Sequence, residues 1–215
     1  MNIKEDIKET FIENKYFLLF SALLFIASLL LGYFLHPYLQ SFFKPVVNKL
    51  SEDVSSGAIK FSFLTIFLNN IFIVFKLFIF GVIFCFSIVI LLYNVFFLGY
   101  FIANYGNLPK IILLILPHGI FELPSIIIAN VSGILLFKYC YMVFSLKNSN
   151  PPEDVLILDN SYSTRFFNSL NNNSKYLKQA LIFLAISVIL MAIAGFIEVY
   201  ITKNLALFFI KLFGL

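Results

Sequence analysis

Residues 61–105, FSFLTIFLNNIFIVFKLFIFGVIFCFSIVILLYNVFFLGYFIANY, decide the fold, because this long stretch contains a single charged side chain, Lys76. A helix needs about 20 apolar residues to cross a membrane, so the stretch is too long for one crossing. It predicts a hairpin of two spans, near 61–82 and 84–105. The alternative is an interfacial helix followed by one long span.

The composition of the whole chain agrees with a lipid environment. Apolar residues make up 61% and charged residues 12% of the chain, against about 45–50% and about 25% in soluble domains. The net charge of +4 is small, and it lies outside the apolar segments, which argues against nucleic-acid binding. We therefore predict an all-α, polytopic membrane helical bundle.

Further apolar segments raise the prediction to about five transmembrane helices. They cover residues 16–35, 109–146 and 180–201. A short arm, residues 1–15, precedes a single transmembrane domain, 16–215, whose polar connections lie at 36–60 and 147–178. Basic residues concentrate in the arm and around the last connection. The positive-inside rule therefore predicts a multi-pass protein of the cell membrane with a cytoplasmic N-terminal arm.

Polar side chains inside the predicted spans are candidates for a functional site. An ionisable group in the membrane costs roughly 2.5–3.5 kcal/mol on insertion scales and usually faces the bundle interior. Counted along the spans, five polar residues, three of them ionisable, fall at a similar depth. They form the predicted intramembrane polar cluster: Asn70, Asn94, His118, Glu122 and Glu198. Structural polar packing is the other interpretation, since His118 and Glu122 are one helical turn apart and could satisfy each other.

Prolines and glycines in the same segments predict a backbone break and close helix packing. Pro117 removes one backbone hydrogen bond and Gly119 permits a bend, so this stretch predicts a broken or kinked helix. Small residues on helix surfaces allow two backbones to approach closely. The residues predicted for the break and for packing are Gly81, Gly99, Pro117, Gly119, Pro124 and Gly133.

Several of these residues fall within short motifs with a shared resemblance. PHGIFELPSIIIA, residues 117–129, resembles the signature of the stage II sporulation protein M family of integral membrane proteins. Weaker matches occur in the expected order at FLNNIFIVFKLFIFG (67–81), LLYNVFFLGYFI (91–102) and MAIAGFIEVYIT (191–202). The resemblance implies a membrane scaffold, because the family's namesake works with membrane-anchored peptidoglycan-degrading proteins during engulfment in spore-forming bacteria.

The function favoured by the sequence is a scaffold that recruits partners for membrane or envelope remodelling. One alternative is a transporter or translocation subunit. The other is an intramembrane metal-dependent enzyme with His118, Glu122 and Glu198 as candidate ligands, although the His-Glu-x-x-His helix of zinc proteases is absent. No cofactor motif or catalytic residue is identified, which argues against an enzyme. We expect membrane lipid and either protein partners or a second copy of the chain as partners, and no nucleic acid.

Overall fold

The computed structural model describes residues 3–55, 63–83, 86–104, 108–148 and 162–202, together with the single positions 204, 205, 208 and 212. Within these ranges the regular structure is helical and contains no strand. The helices are α1 (Ile3–Glu13), α2 (Lys15–Phe34), α3 (His36–Ser55), α4 (Phe63–Ile79), α5 (Phe86–Asn104), α6 (Leu108–Phe144), α7 (Tyr162–Asn172) and α8 (Ser174–Ile197). Parts of the predicted spans and connections, at 56–62, 84–85, 105–107 and 149–161, lie outside the described residues.

Four stretches in the described part of the chain are helical, long and apolar enough to span a membrane. They are Lys15–Lys49, Phe86–Asn104, Ile111–Phe144 and Ser174–Thr202. A shorter apolar helix, Phe67–Val82, packs against α5, α6 and α8. The predicted all-α membrane bundle is therefore confirmed. Where the sequence predicts about five transmembrane helices, the described residues contain four long candidate spans and one shorter apolar helix.

The long apolar stretch that decided the fold forms two helices. After α4 a 3₁₀ turn at Phe80–Val82 tightens the backbone, Ile83 is extended, and α5 begins at Phe86. The rings of Phe80 and Phe86 face each other across this turn with centroids 5.4 Å apart. The stretch is thus divided into two helices, which both predicted arrangements require, and a membrane crossing by each of the two helices stays a prediction.

The polar connection expected at 36–60 contains a helix, α3, which follows α2 after a one-residue turn at Leu35. Pro45 lies inside α3, where it costs about 3 kcal/mol. Phe43 is buried against the rings of α5, with centroids 5.0–6.1 Å from those of Phe96, Phe97 and Tyr100. Burial of a phenylalanine contributes about 1.5–3 kcal/mol, which offsets most of the proline cost.

Helix α6 continues through both Pro117 and Pro124, so the helix predicted to be broken or kinked at Pro117–Gly119 is not interrupted there. A proline removes one hydrogen bond, and neighbouring helices can hold the remaining turns in place. Here α6 packs against α2, α4, α5 and α8, so it is supported along its length. A kink at Pro117, the other form of this expectation, stays a prediction.

The contact between α2 and α5 depends on glycine. A Cβ added at Gly32 would collide with the backbone of Phe96, and one added at Gly99 would collide with the backbone of Leu29. Ser28 lies on the same face of α2 and donates to the carbonyl oxygen of Leu92 at 2.7 Å. These two helices are therefore in backbone-to-backbone contact.

A second close contact joins the end of α4 to α6. A Cβ added at Gly81 would collide with the backbone of Gly133, and one added at Gly133 would collide with the carbonyl oxygen of Leu77. Gly119, also on α6, lies at no such crossing, since an added Cβ would meet only side chains, the nearest being Ile115 Cγ2 at 3.3 Å. Close helix packing is thus concentrated at particular glycines.

Charged contacts hold α1 against the first turns of α8. Lys175 Nζ lies 2.8 Å from Glu9 Oε1 and 2.6 Å from Glu13 Oε1. Lys178 adds an ion pair with Asp6 at 2.7 Å. Gln179 Nε2 donates to Glu13 Oε2 at 2.6 Å, so the Glu13 carboxylate accepts from two side chains of α8. The arm predicted from the sequence is thus a helix fixed to the last span.

Acidification is expected to weaken this contact. Hydrogen bonds from Lys175 and Gln179 lower the pKa of Glu13 below its usual 4.5. The stabilisation is therefore complete above about pH 4.5 and is lost as the pH falls through the lowered pKa. Because Glu13 is exposed, we expect Glu13→Gln to cost only about 0.5 kcal/mol at neutral pH. Denaturant titrations between about pH 7 and about pH 3 should show this difference shrinking.

The matched control for this prediction is Glu5→Gln, on the exposed side of α1 and outside the ion pairs found among the described residues. Its free energy of unfolding should stay close to that of the parent protein across the pH range. A Glu13→Gln difference that does not change with pH would contradict the assigned ion pair.

Candidate functional site

Two ionisable residues lie one turn apart on α6 in half-buried positions. His118 Nε2 is 3.8 Å from Glu122 Oε2. The side chain of His118 is 13% exposed to solvent and that of Glu122 is 22% exposed. This is the distance of an ion pair when the imidazole is protonated. The i, i+4 spacing on an unbroken helix is what brings the two groups to one face.

The end of α8 contributes a third side chain to this face. Beyond Ile197 the helix widens into a π-helical turn, Glu198–Thr202, and Thr202 Oγ1 lies 3.3 Å from His118 Nδ1. Thr202 is buried and donates to the carbonyl oxygen of Ile197 at 3.2 Å. Its oxygen can therefore accept from Nδ1–H of a neutral His118, which then presents the lone pair of Nε2 towards Glu122. Single π-helical turns are rare and frequently occur at functional sites.

Glu198 lies at the start of this π-helical turn and is half-buried. The π-helical turn that carries Glu198 packs against α6, which carries His118 and Glu122. His118, Glu122 and Glu198 thus form a group of ionisable side chains contributed by α6 and the end of α8. Two carboxylates in such a group repel each other unless a proton or a cation lies between them.

A metal ion is a poor match for this group. Among the residues that the structure describes, no three His, Cys, Asp or Glu side chains are arranged so that they could hold a metal ion. The candidate ligand set His118, Glu122 and Glu198 therefore gains no support from the geometry. What the arrangement can do is share a proton between an imidazole and a carboxyl group inside the bundle.

The two asparagines of the predicted cluster lie on other helices. Asn94 Nδ2 donates to the carbonyl oxygen of Ile90, one turn earlier in α5, at 2.7 Å. This bond satisfies the amide within its own helix. Asn70 is half-buried on α4, which packs against both α6 and α8. A common depth for all five residues stays a prediction.

Small buried polar side chains are a feature that the sequence analysis missed. Ser125 Oγ donates to the Ser187 carbonyl oxygen at 2.8 Å, and Ser187 Oγ donates to the Ser125 carbonyl oxygen at 2.6 Å. Asn130 Nδ2 donates to Ser21 Oγ at 2.9 Å, which joins α6 to α2. A hydropathy profile does not reveal a single serine inside an apolar segment. The usable signal was spacing, because buried small residues recur along α2 at Ser21, Ser28 and Gly32.

Comparison with known proteins gives a family match along most of the chain. The model of the family described as stage II sporulation protein M matches residues 21–203. Two similar proteins, both described as uncharacterized, come from Methanocaldococcus jannaschii. One is 28% identical over 215 residues, covering 95% of this chain and 89% of the relative. The other is 33% identical over 171 residues, covering 74% of this chain and 85% of the relative. No solved structure matches.

Proposed function

Because this chain belongs to the stage II sporulation protein M family and is a multi-pass integral membrane protein, we propose that it is a scaffold of the cell membrane. Its role is to recruit protein partners for remodelling of the membrane or envelope, with the N-terminal arm in the cytoplasm. The observation that carries the proposal is the backbone-to-backbone packing at Gly32, Gly81, Gly99 and Gly133, which favours one fixed arrangement of the helices.

Fixed packing supports a scaffold over an alternating carrier. Carriers move one helix bundle against another around a central site. Here α2 is joined to α5 at Gly32 and Gly99, and α4 is joined to α6 at Gly81 and Gly133. The reciprocal hydrogen bonds between Ser125 and Ser187 join α6 to α8 as well. Sliding any of these helices would open several contacts at once.

The docking surface in this proposal is α7, which lies outside the apolar spans. Its position is fixed, because Ser169 Oγ donates to the carbonyl oxygen of Lys147 at 2.8 Å, just after α6. The surface of α7 exposes Tyr162, Arg165 and Phe167, with the two aromatic side chains 67% and 62% exposed. Tyrosine and arginine are enriched among the residues that dominate binding at protein interfaces, and a held helix limits the entropy lost on binding.

The test is co-purification of partners in mild detergent, quantified by mass spectrometry. We expect the parent protein to recover a specific partner and the double variant Arg165→Ala, Phe167→Ala to recover at least about tenfold less, because hot-spot residues contribute about 2 kcal/mol or more each. The matched control is Tyr38→Ala on α3, whose side chain is 84% exposed. A monodisperse protein with no specific partner, or equal recovery by all three forms, would remove the scaffold proposal.

A second candidate is a transporter or translocation subunit. It is favoured by the ionisable group of His118, Glu122 and Glu198, together with the π-helical turn that brings Thr202 to the imidazole. Ionisable groups inside membrane bundles commonly mark proton pathways. Proton flux across proteoliposomes containing the purified protein distinguishes this candidate from a scaffold, which carries none.

A further inference from the structure

A membrane-facing groove of about 580 Å³ lies where α2, α5 and α6 meet. Its lining is almost entirely apolar and aromatic, and includes Phe17, Phe20, Ile88, Ile134 and Phe137, with Gly81 among the remaining residues. The volume falls within the range of about 300–1,000 Å³ found for sites that bind small molecules. We call this feature the Lys138 groove, because Lys138 also lines it.

Lys138 is placed by aromatic rings. Its Nζ lies 4.1 Å from the ring centroid of Tyr176 and 6.0 Å from that of Phe17. Lys138 precedes the end of α6 at Phe144 by six residues, which corresponds to about 9 Å along the helix axis. The backbone of Lys138 therefore lies about two turns before the end of the helix, at the edge of the groove that its side chain lines.

Two more lysines lie at the same end of the groove. Lys15 Nζ is 5.2 Å from the ring centroid of Tyr16, and Lys147 Nζ is 5.1 Å from that of Tyr141. Both tyrosines line the groove. Each of the three ammonium groups thus lies near an aromatic ring, and each cation–π contact contributes about 0.5–1 kcal/mol at exposed sites.

These positive charges lack carboxylate partners within the described ranges. The ion pairs found there join Lys175 to Glu9 and Glu13, and Lys178 to Asp6, all on the side of the bundle where α1 meets α8. Three of the four acidic residues of α1, Asp6, Glu9 and Glu13, are thereby engaged. The groove combines a long apolar wall with an uncompensated positive mouth.

We propose that the Lys138 groove binds an anionic phospholipid, with an acyl chain along the apolar wall and the phosphate between Lys138, Lys15 and Lys147. The apolar wall fits a lipid tail, because the groove opens on the surface that faces the membrane. The mouth fits the headgroup by charge, since lysines near the membrane surface attract anionic lipids by about 1 kcal/mol each. This site does not include the ionisable group at His118, and it borders α7, because the carbonyl oxygen of Lys147 accepts from Ser169.

The test uses purified protein in a neutral detergent, to which phosphatidylglycerol or phosphatidylcholine with identical acyl chains is added. Native mass spectrometry should show phosphatidylglycerol bound one to one, with phosphatidylcholine at least about fivefold weaker. Lys138→Gln should weaken phosphatidylglycerol by about fivefold, the factor that corresponds to about 1 kcal/mol. Lys138→Arg should retain binding. The matched control is Lys44→Gln on α3, which is exposed and does not line the groove.

Three results would overturn the proposal. They are equal binding of the two lipids, an unchanged affinity for phosphatidylglycerol in Lys138→Gln, or binding of inorganic phosphate as tightly as of the lipid. If Lys138→Gln does not purify as a monodisperse protein, Lys147→Gln replaces it, because this lysine is exposed beyond the end of α6. The same loss of about fivefold is then expected, and its absence counts equally against the site.

Discussion

Replacing Gly133 with alanine is expected to lower the free energy of unfolding by about 3 kcal/mol, at the upper end of overpacking effects. The added Cβ would collide with the carbonyl oxygen of Leu77 and would lie 3.2 Å from Ser87 Cβ. A side chain could rotate away from such a contact, whereas the backbone of α4 cannot. Relief would require α4 and α6 to separate, which would also disturb the contact between Gly133 and Gly81.

The matched control is Gly119→Ala, on the same helix. Its added Cβ meets side chains only, at 3.3 Å or more, and alanine favours a helix over glycine by about 1 kcal/mol. We therefore expect Gly119→Ala to be close to neutral. Both variants are measured by denaturant titration in mixed micelles, followed by circular dichroism. Equal losses of stability at the two positions would show that glycine packing does not hold α4 to α6.

The second large effect is expected at Asn130, where replacement by aspartate should lower the free energy of unfolding by about 3 kcal/mol. Asn130 is fully buried in a membrane span and donates to Ser21 Oγ at 2.9 Å. Aspartate removes that donor and places a carboxylate in an apolar region, where insertion of a charge costs roughly 2.5–3.5 kcal/mol. The same denaturant titration measures the loss.

Asn130→Ala distinguishes the cost of a buried charge from the cost of the lost hydrogen bond. The carbonyl oxygen Oδ1 of Asn130 is buried without a hydrogen-bond partner, so alanine removes one bond and also one unsatisfied acceptor. We expect a loss of about 1 kcal/mol, the usual net value of one hydrogen bond. If aspartate and alanine were equally destabilising, the side chain would not be in an apolar, uncharged environment.

The membrane spans could be predicted from the sequence because lipid imposes a simple rule on them. A span must be apolar and about 20 residues long, and both quantities are visible in one dimension. The segment predicted at 16–35 corresponds to α2, and the one predicted at 109–146 corresponds to α6. Helix α3 was missed because Pro45 and the surrounding charges indicate a loop, whereas the aromatic packing of Phe43 is visible only in three dimensions.

The candidate site was predictable only within one helix. His118 and Glu122 could be paired from their spacing, because i and i+4 share a helical face. The approach of Thr202 could not, since it depends on a π-helical turn for which the sequence EVYIT gives no signal. Gly32 was missed in the same way, because its importance comes from the position of Phe96 on another helix.

The contact between α1 and α8 has a consequence for synthesis on the ribosome. Asn14 donates to Gln179, a residue 165 positions later, so at about 5–20 residues per second its partner emerges roughly ten to thirty seconds afterwards. Ser125 is likewise synthesised before its hydrogen-bond partner Ser187. During that delay Asn14 keeps its local bond to the carbonyl oxygen of Thr10, but the contacts of α1 with α8 cannot form until that helix is made. A nascent chain that ends before α8 should therefore leave α1 accessible to added protease, since Lys175, Lys178 and Gln179 are then missing.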